Sequence, residues 1–67
     1  MANPRFPEIY VQLTDEDGNV FSIIGKVSGA LRSAGHSLEA SIFIDKALDS
    51  PSYYDVLNLC TEFVDVG

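Results

Sequence analysis

The amino-acid sequence predicts a small single-domain α+β fold, in which one or two β-strands pack with about three short helices. Apolar and polar residues alternate near both ends of the chain, a pattern typical of half-buried strands. Between the ends, apolar residues recur at the spacing of amphipathic helices. The chain has 67 residues, of which 46% are hydrophobic, so it can bury one small core.

The first strand is predicted at about 8–14. Two prolines lie within residues 1–7, which predicts an extended lead-in that ends where strand pairing can begin. The single compact domain is therefore predicted to cover 8–67. The apolar face of the first strand is formed by Ile9, Val11 and Leu13.

The first helix is predicted at about 20–34. Asn19 is suited to cap its start, and Gly35 is suited to end it. Apolar residues follow the helical period over four turns between these positions. Residues 19–24 are also rich in strand-forming side chains and follow the turn sequence Asp17-Gly18, so a β-hairpin strand is the alternative there.

A second helix is predicted at about 38–48, with Ser37 as its N-cap. Its periodicity is less clear than that of the first helix, because the run 42–44 is apolar throughout. The apolar residues that favour this helix are Leu38, Ile42, Ile44, Ala47 and Leu48.

The third helix is predicted at about 52–61. Either Ser50-Pro51 or Ser52 opens it, since proline is tolerated at the first helical position and Ser52 and Asp55 have a spacing like that of a capping box. Its apolar stripe is the clearest in the chain and consists of Tyr53, Val56, Leu57, Cys60 and Phe63 or Val64. Residues 62–66 then alternate like a strand and can pair with 8–14. This pairing would bring both ends of the chain into one small sheet.

The net charge of −6 results from ten acidic and four basic residues. Because the bases are scattered along the chain, direct binding to nucleic acid lacks its usual electrostatic driving force. The single cysteine cannot form an internal disulfide, which indicates a reducing, cytoplasmic setting. No apolar segment has the length of a signal-peptide core or of a membrane span, so no membrane association is predicted.

Residues 17–35 resemble a family of small uncharacterised proteins from phages, prophages and many bacteria. The family pattern is D-G-N-x-F-x-I-x-G-x-V-x-x-A-L-x-x-A-G, and this chain follows it in both order and spacing. The second half is similar to the family's Y-D-x-L motif at 54–57 and to its closing aromatic-V-x-V motif at 63–66. The resemblance spans about 9–66.

The resemblance implies the order strand, helix, helix, helix, and it favours the helical interpretation of 19–35. It implies no established activity. The distribution of the family implies a protein of a phage or other mobile element that acts in the cytoplasm of the host cell. The chain departs from the family at 49–53, where relatives have a small-residue turn, and at Gly29.

We therefore predict a small acidic interaction protein that is not an enzyme and that binds and modulates a host protein, such as one of a defence system. The partner is either this host protein or a second copy of the chain in a homo-oligomer. Gly25 and Gly29 form a G-x-x-x-G pair that lets another backbone approach, either the chain's own strand or helix or a second copy. The interface candidates are Gly25, Gly29, Tyr10, Phe43, Tyr53 and Tyr54.

The alternative function is an oligomeric sponge that sequesters a small anionic signal of the nucleotide type. Ser22 and Lys26 lie one turn apart near the start of the first predicted helix, where Asn19 and the free N–H groups lie. Arg32 or His36 from a neighbouring subunit would complete the site. Basic residues at an oligomer interface would favour the sponge, whereas an exposed apolar or acidic patch would favour the interaction protein.

The sequence predicts no cofactor, no metal site and no catalytic group. Cys60 lies on the apolar stripe of the third helix and is expected in the core, since a nucleophile would need a nearby base and a lowered pKa. His36 is the only histidine and cannot support a multi-histidine metal site. The acidic run 15–19 is a candidate calcium loop. EF-hand spacing would, however, place Leu13 and Ile24 at positions that need an oxygen ligand, so a turn is predicted there instead.

Overall fold

A two-stranded sheet joins the two ends of the chain. In the computed structural model, which describes residues 4–13 and 19–67, strand β1 (Phe6–Val11) pairs in parallel with strand β2 (Val64–Val66). The predicted pairing of the two ends is therefore confirmed. Because parallel strands cannot be joined by a tight turn, the three helices form the connection between them.

Backbone hydrogen bonds extend this pairing beyond both strands. The Arg5 N–H donates to the Glu62 carbonyl at 3.0 Å, and the Leu13 N–H donates to the Gly67 carbonyl at 2.9 Å. The short strand β2 is thus held along a longer segment than its own three residues. This extension supplies bonds to backbone groups that would otherwise lack a partner in the sheet.

The boundaries of the strands differ from the prediction. Phe6 and Pro7 belong to β1 and not to the lead-in. The register is irregular between Phe6 and Tyr10, and such an interruption tolerates a proline, which has no N–H to donate. Strand β2 is shorter than predicted, because Glu62 and Phe63 complete the last turn of the third helix.

Helix α1 (Val20–Ser33) confirms the helical interpretation of 19–24. Asn19 caps it as predicted, since the Asn19 Oδ1 accepts a hydrogen bond from the Phe21 N–H at 2.9 Å. Gly35 follows the helix with a φ of 89°, in the left-handed region that favours glycine. Local side-chain and backbone chemistry therefore fixes both ends of α1.

We expect Gly35→Ala to destabilise the protein by about 1 kcal/mol, because the φ of 89° is unfavourable for a residue with a Cβ. Gly25→Ala is the matched control. A Cβ has no described atom within 4 Å at either glycine, but Gly25 lies inside α1, so alanine should stabilise there by up to about 1 kcal/mol. Urea denaturation followed by circular dichroism measures both changes. Equal destabilisation of the two variants would contradict the role of Gly35 as the helix stop.

Helix α2 (Ser37–Leu48) begins one residue earlier than predicted. The prediction that Ser37 caps this helix is wrong, since Ser37 is already helical and His36 occupies the N-cap position without a capping side-chain bond. The side of α2 that faces the core consists of Ala40, Phe43 and Ala47. Two small residues therefore flank the one large ring, which lets α2 pack closely on its neighbours.

Helix α3 (Tyr53–Phe63) begins at the predicted capping pair. The Ser52 Oγ accepts a hydrogen bond from the Asp55 N–H at 3.2 Å and donates one to the Asp55 Oδ2 at 3.0 Å. The helix ends two residues later than predicted, and Val64 leads directly into β2 without a loop. This direct transition fixes the position of the second strand relative to α3.

The core lies between the sheet and the inner faces of the three helices. Its two largest fully buried side chains are Phe43 and Phe63, whose ring centroids are 5.4 Å apart in an edge-to-face arrangement. The predicted small α+β domain is thus confirmed. The buried hydrophobic residues are Ile9, Val11, Ile23, Ile24, Val27, Leu31, Ala40, Phe43, Ala47, Val56, Leu59, Cys60, Phe63 and Val64.

Candidate functional site

A groove of about 370 Å³ opens where the first turns of α1 and α3 meet the last turn of α2. We term it the helix-end groove. Its apolar surface is formed chiefly by Phe21, Ile24, Ala47, Leu48, Tyr53 and Val56. The floor consists of core residues, since Ile24, Ala47 and Val56 are all buried. The groove is therefore continuous with the hydrophobic core.

Three large side chains form the walls of the groove and remain accessible to solvent. Phe21 is 69% exposed, Leu48 is 63% exposed and Tyr53 is 40% exposed. Scattered surface hydrophobics are ordinary, but exposed large side chains gathered around an apolar concavity are typical of protein-binding surfaces. Of these three residues, Tyr53 alone was among the predicted interface candidates.

The sequence does not predict Phe21 or Leu48 as interface residues, and the reason differs between the two. Phe21 lies beside the apolar stripe of α1, and an aromatic residue off the stripe of an amphipathic helix is a signal that could have identified it. Leu48 is one of the apolar residues that favour α2. The apolar residues of this helix do not follow a clear helical period, so the pattern does not distinguish its buried positions from its exposed ones. The groove itself combines three segments that are distant in sequence, so no local pattern reveals it.

Carboxylates outnumber bases in the sequence segments that flank the lining of the helix-end groove. Asp45 lies in the last turn of α2, Asp49 is its C-cap, and Asp55 lies in the first turn of α3. All three are exposed, and Lys46 is the single base in this stretch of the sequence. These exposed residues next to the apolar lining, which we term the rim of the groove, carry a net negative charge.

The predicted anion site is not assembled by one chain. Its candidates are Asn19, Ser22, Lys26, Arg32 and His36. Asn19 caps α1, and the Lys26 Nζ donates a hydrogen bond to the Gln12 carbonyl at 2.8 Å. Arg32 lies about 20 Å from Asn19 along the helix axis, and His36 lies beyond it. Completion of this site would need a second copy, as the prediction specified.

The G-x-x-x-G pair does not pack against the chain's own backbone. A Cβ at Gly25 or at Gly29 would have no atom of the described residues within 4 Å, apart from its immediate chain and helix neighbours. Within the described residues, no strand or helix of the chain itself therefore uses the close approach that these glycines permit. Their use in contact with a second copy stays a prediction.

The aromatic interface candidates do not form one surface. Phe43 is fully buried and packs on Phe63, so the prediction of Phe43 as a surface anchor is wrong. Tyr54 is 71% exposed but does not line the helix-end groove. Tyr10 is 59% exposed on β1, and its ring lies so close to Gly67 that a Cβ there would require the ring to shift.

Arg5 attaches the N-terminal segment to two helices. Its Nη1 lies 3.1 Å from the Glu39 Oε1, and its guanidinium carbon lies 4.9 Å from the centre of the Phe63 ring. The neighbouring Phe6 ring stacks on His36 with centroids 4.2 Å apart. Arg5 and the anion-site candidate His36 thus both make contacts within the chain.

Cys60 is a core residue, as predicted, with no exposed surface. Burial raises the pKa of its thiol from the ordinary value of 9.0 to about 11. The thiolate is the reactive form of cysteine. At neutral pH the Cys60 thiol is therefore protonated and shielded from solvent, which is unsuited to a nucleophile.

We expect the wild type to lose stability relative to Cys60→Ala as the pH rises from about 9 to about 11. A thiol whose pKa is higher in the folded state stabilises that state fully below the unfolded pKa, and this contribution is lost as the pH passes the folded pKa. The relative loss should be about 2 kcal/mol. Urea denaturation of both proteins at about pH 9 and about pH 11 measures this loss. The packing cost of the smaller alanine is the same at both pH values, so it cancels in the comparison. Parallel pH profiles for the two proteins would contradict the buried thiol.

The described residues contain neither a metal-ligand cluster nor a membrane-spanning helix. Across 4–13 and 19–67, no three His, Cys, Asp or Glu side chains are grouped so that they could hold a metal ion. In the same part of the chain, no helix combines the length and the apolar character that crossing a bilayer requires. The turn predicted at 15–18 lies outside the described residues, so the calcium-loop alternative is not addressed by the fold.

No family model matches this chain, and comparisons with curated proteins and with solved structures found no significant match. The resemblance to the phage and prophage family therefore stays a prediction that depends on the motifs at 17–35, 54–57 and 63–66. The function is accordingly inferred from the geometry and charge of the helix-end groove.

Proposed function

We propose that this protein is a small acidic interaction protein that acts without catalysis, by binding a partner protein at the helix-end groove. The observation that carries this proposal is the exposure of Phe21, Leu48 and Tyr53 around a buried apolar floor. A partner that covers these side chains removes their apolar surface from water, which drives association. The same contact excludes water from the groove and strengthens the polar contacts at its rim.

The resemblance to the phage and prophage family supplies the class of partner in this proposal. A protein encoded by a mobile element acts inside its host cell, so the partner is a host protein, such as a component of a defence system. Binding would modulate the partner by occupying one of its surfaces. This part of the proposal depends on the resemblance alone.

The sponge alternative depends on residues that a second copy would contribute. Within one chain, Arg5 pairs with Glu39 and Lys26 bonds to a backbone carbonyl. Arg32 lies six residues after Lys26 on α1 and therefore on a different face of the helix. The net charge of −6 also repels an anionic ligand. We therefore favour the interaction protein, and the sponge is an outcome of its test.

Native mass spectrometry of the protein purified from its own host tests the proposal. We expect a complex with one partner protein of defined mass. The double variant Phe21→Ser with Leu48→Ser should lose this partner and keep the wild-type circular dichroism spectrum, since both residues are exposed. Tyr10→Ser is the matched control, because Tyr10 is exposed outside the groove and should not affect the complex.

Three results would contradict the proposal in different ways. A monomer that carries no partner would exclude a stable interaction in that host. A homo-oligomer that retains a small anionic molecule would support the sponge instead. A partner that remains bound to the double variant would place the interface outside the helix-end groove.

A further inference from the structure

We infer that the helix-end groove receives a basic amphipathic helix of the partner protein. This inference rests on the proposed function and adds the chemical class of the bound segment. It depends on the way in which the groove presents side chains, on its size and on the charge of its rim.

Among the described residues, the groove presents side chains and no sheet edge. At the start of α1, the Phe21 N–H donates to the Asn19 side chain. At the start of α3, the Asp55 N–H donates to the Ser52 side chain. An added strand needs an open sheet edge, but no residue of β1 or β2 lines this groove. An amphipathic helix instead docks through apolar side chains at i, i+3, i+4 and i+7, which an apolar groove can accept.

The size of the groove fits a short contact with such a helix. A volume of about 370 Å³ lies near the lower end of the range for binding pockets, so it holds a few side chains. Phe21, Leu48 and Tyr53 belong to three different helices and can contact these side chains from separate directions.

The charge of the rim favours a basic segment over a second copy of this chain. Asp45, Asp49 and Asp55 are exposed and lie within two residues of groove-lining positions, and Lys46 offsets only part of their charge. Two copies that met groove to groove would bring these carboxylates together, and each copy carries a net charge of −6. A helix with Lys or Arg on its polar face places opposite charge at the rim, which favours its binding and its orientation.

Titration of the isotope-labelled protein with a synthetic peptide, followed by NMR, tests the inference. The probe is a leucine–lysine peptide of about 18 residues, with leucines at i, i+3, i+4 and i+7. We expect saturable shifts of the amide signals of Phe21, Leu48 and Tyr53. Raising the salt concentration from about 50 to about 300 mM should weaken binding by about tenfold.

Exposed substitutions provide the matched controls, and the amide spectrum of each variant reports whether it is folded. Phe21→Ser and Leu48→Ser should each weaken peptide binding by at least about tenfold. Tyr54→Ser, on an exposed residue outside the groove, should change the affinity by less than about twofold. Asp49→Asn should reduce the salt dependence, whereas Asp65→Asn on β2 should leave it unchanged.

Several outcomes would overturn the inference. A leucine–glutamate peptide of the same spacing that binds equally well would exclude selection by charge. Binding that Phe21→Ser and Leu48→Ser leave unchanged would show general attraction to an acidic surface. Shifts of the groove signals that appear when the protein alone is concentrated would assign the groove to a second copy.

If the native partner binds through the groove and the leucine–lysine peptide does not, the proposed function stands and this inference fails. If the host retains no partner, the proposed function itself fails.

Discussion

Phe43→Ala is expected to leave most of the protein unfolded at about 25 °C. Phe43 is fully buried, and its ring packs on Phe63 at the centre of the core. Removal of a buried phenyl ring costs about 3–5 kcal/mol, and a single core in a chain of this size supplies roughly the same amount. Circular dichroism during urea titration measures the loss, which should appear as the absence of a folded baseline.

Phe21→Ala is the matched control for this prediction. The chemical change is the same, but Phe21 is 69% exposed, so we expect a loss of less than about 0.5 kcal/mol. A folded Phe43→Ala variant with a loss as small as that of Phe21→Ala would show that Phe43 is not part of the core.

Val64→Asp is expected to prevent folding at neutral pH. Val64 is fully buried at the junction of α3 and β2, so the substitution would place a carboxylate among apolar side chains. An unpaired charge in such a position costs more than about 4 kcal/mol. Burial raises the pKa of a carboxyl group, so its protonation at acidic pH should reduce this cost. Circular dichroism of the variant and the wild type at several pH values measures both effects.

Asp65→Asn is the control on the same strand, because the side chain of Asp65 is exposed. We expect a change of less than about 0.5 kcal/mol for this variant. A Val64→Asp variant that folds like the wild type at neutral pH would show that β2 is not packed on the core. It would also contradict the pairing of β1 with β2.

The helix ends that the sequence predicted correctly are those with local chemistry. Asn19 bonds to the Phe21 N–H, and Gly35 adopts the left-handed backbone, so both signals act within a few residues of α1. Ser52 and Asp55 likewise form local hydrogen bonds, which cap the start of α3. The strands were predicted from alternation of apolar residues, which shows a buried face but not the direction of the partner strand.

The features that the sequence did not predict depend on tertiary contacts. The run 42–44 is apolar on several sides of α2, and periodicity cannot select Phe43 as the buried residue. The pair Gly25 and Gly29 permits a close approach that no segment within residues 4–13 and 19–67 makes. Phe21 becomes part of a groove only because the ends of α2 and α3 meet α1 there. Packing among distant segments decides each of these points.

The parallel pairing of Phe6 with Val64 also determines when the fold can be completed during translation. The ribosome synthesises β1 first and β2 only after all three helices. Ile9 and Val11 therefore have no strand partner while the helices emerge, and these apolar side chains are available to chaperones or to other nascent chains during that time. Contacts between neighbouring helices are local and can form early, whereas the sheet requires contact between the ends of the described chain.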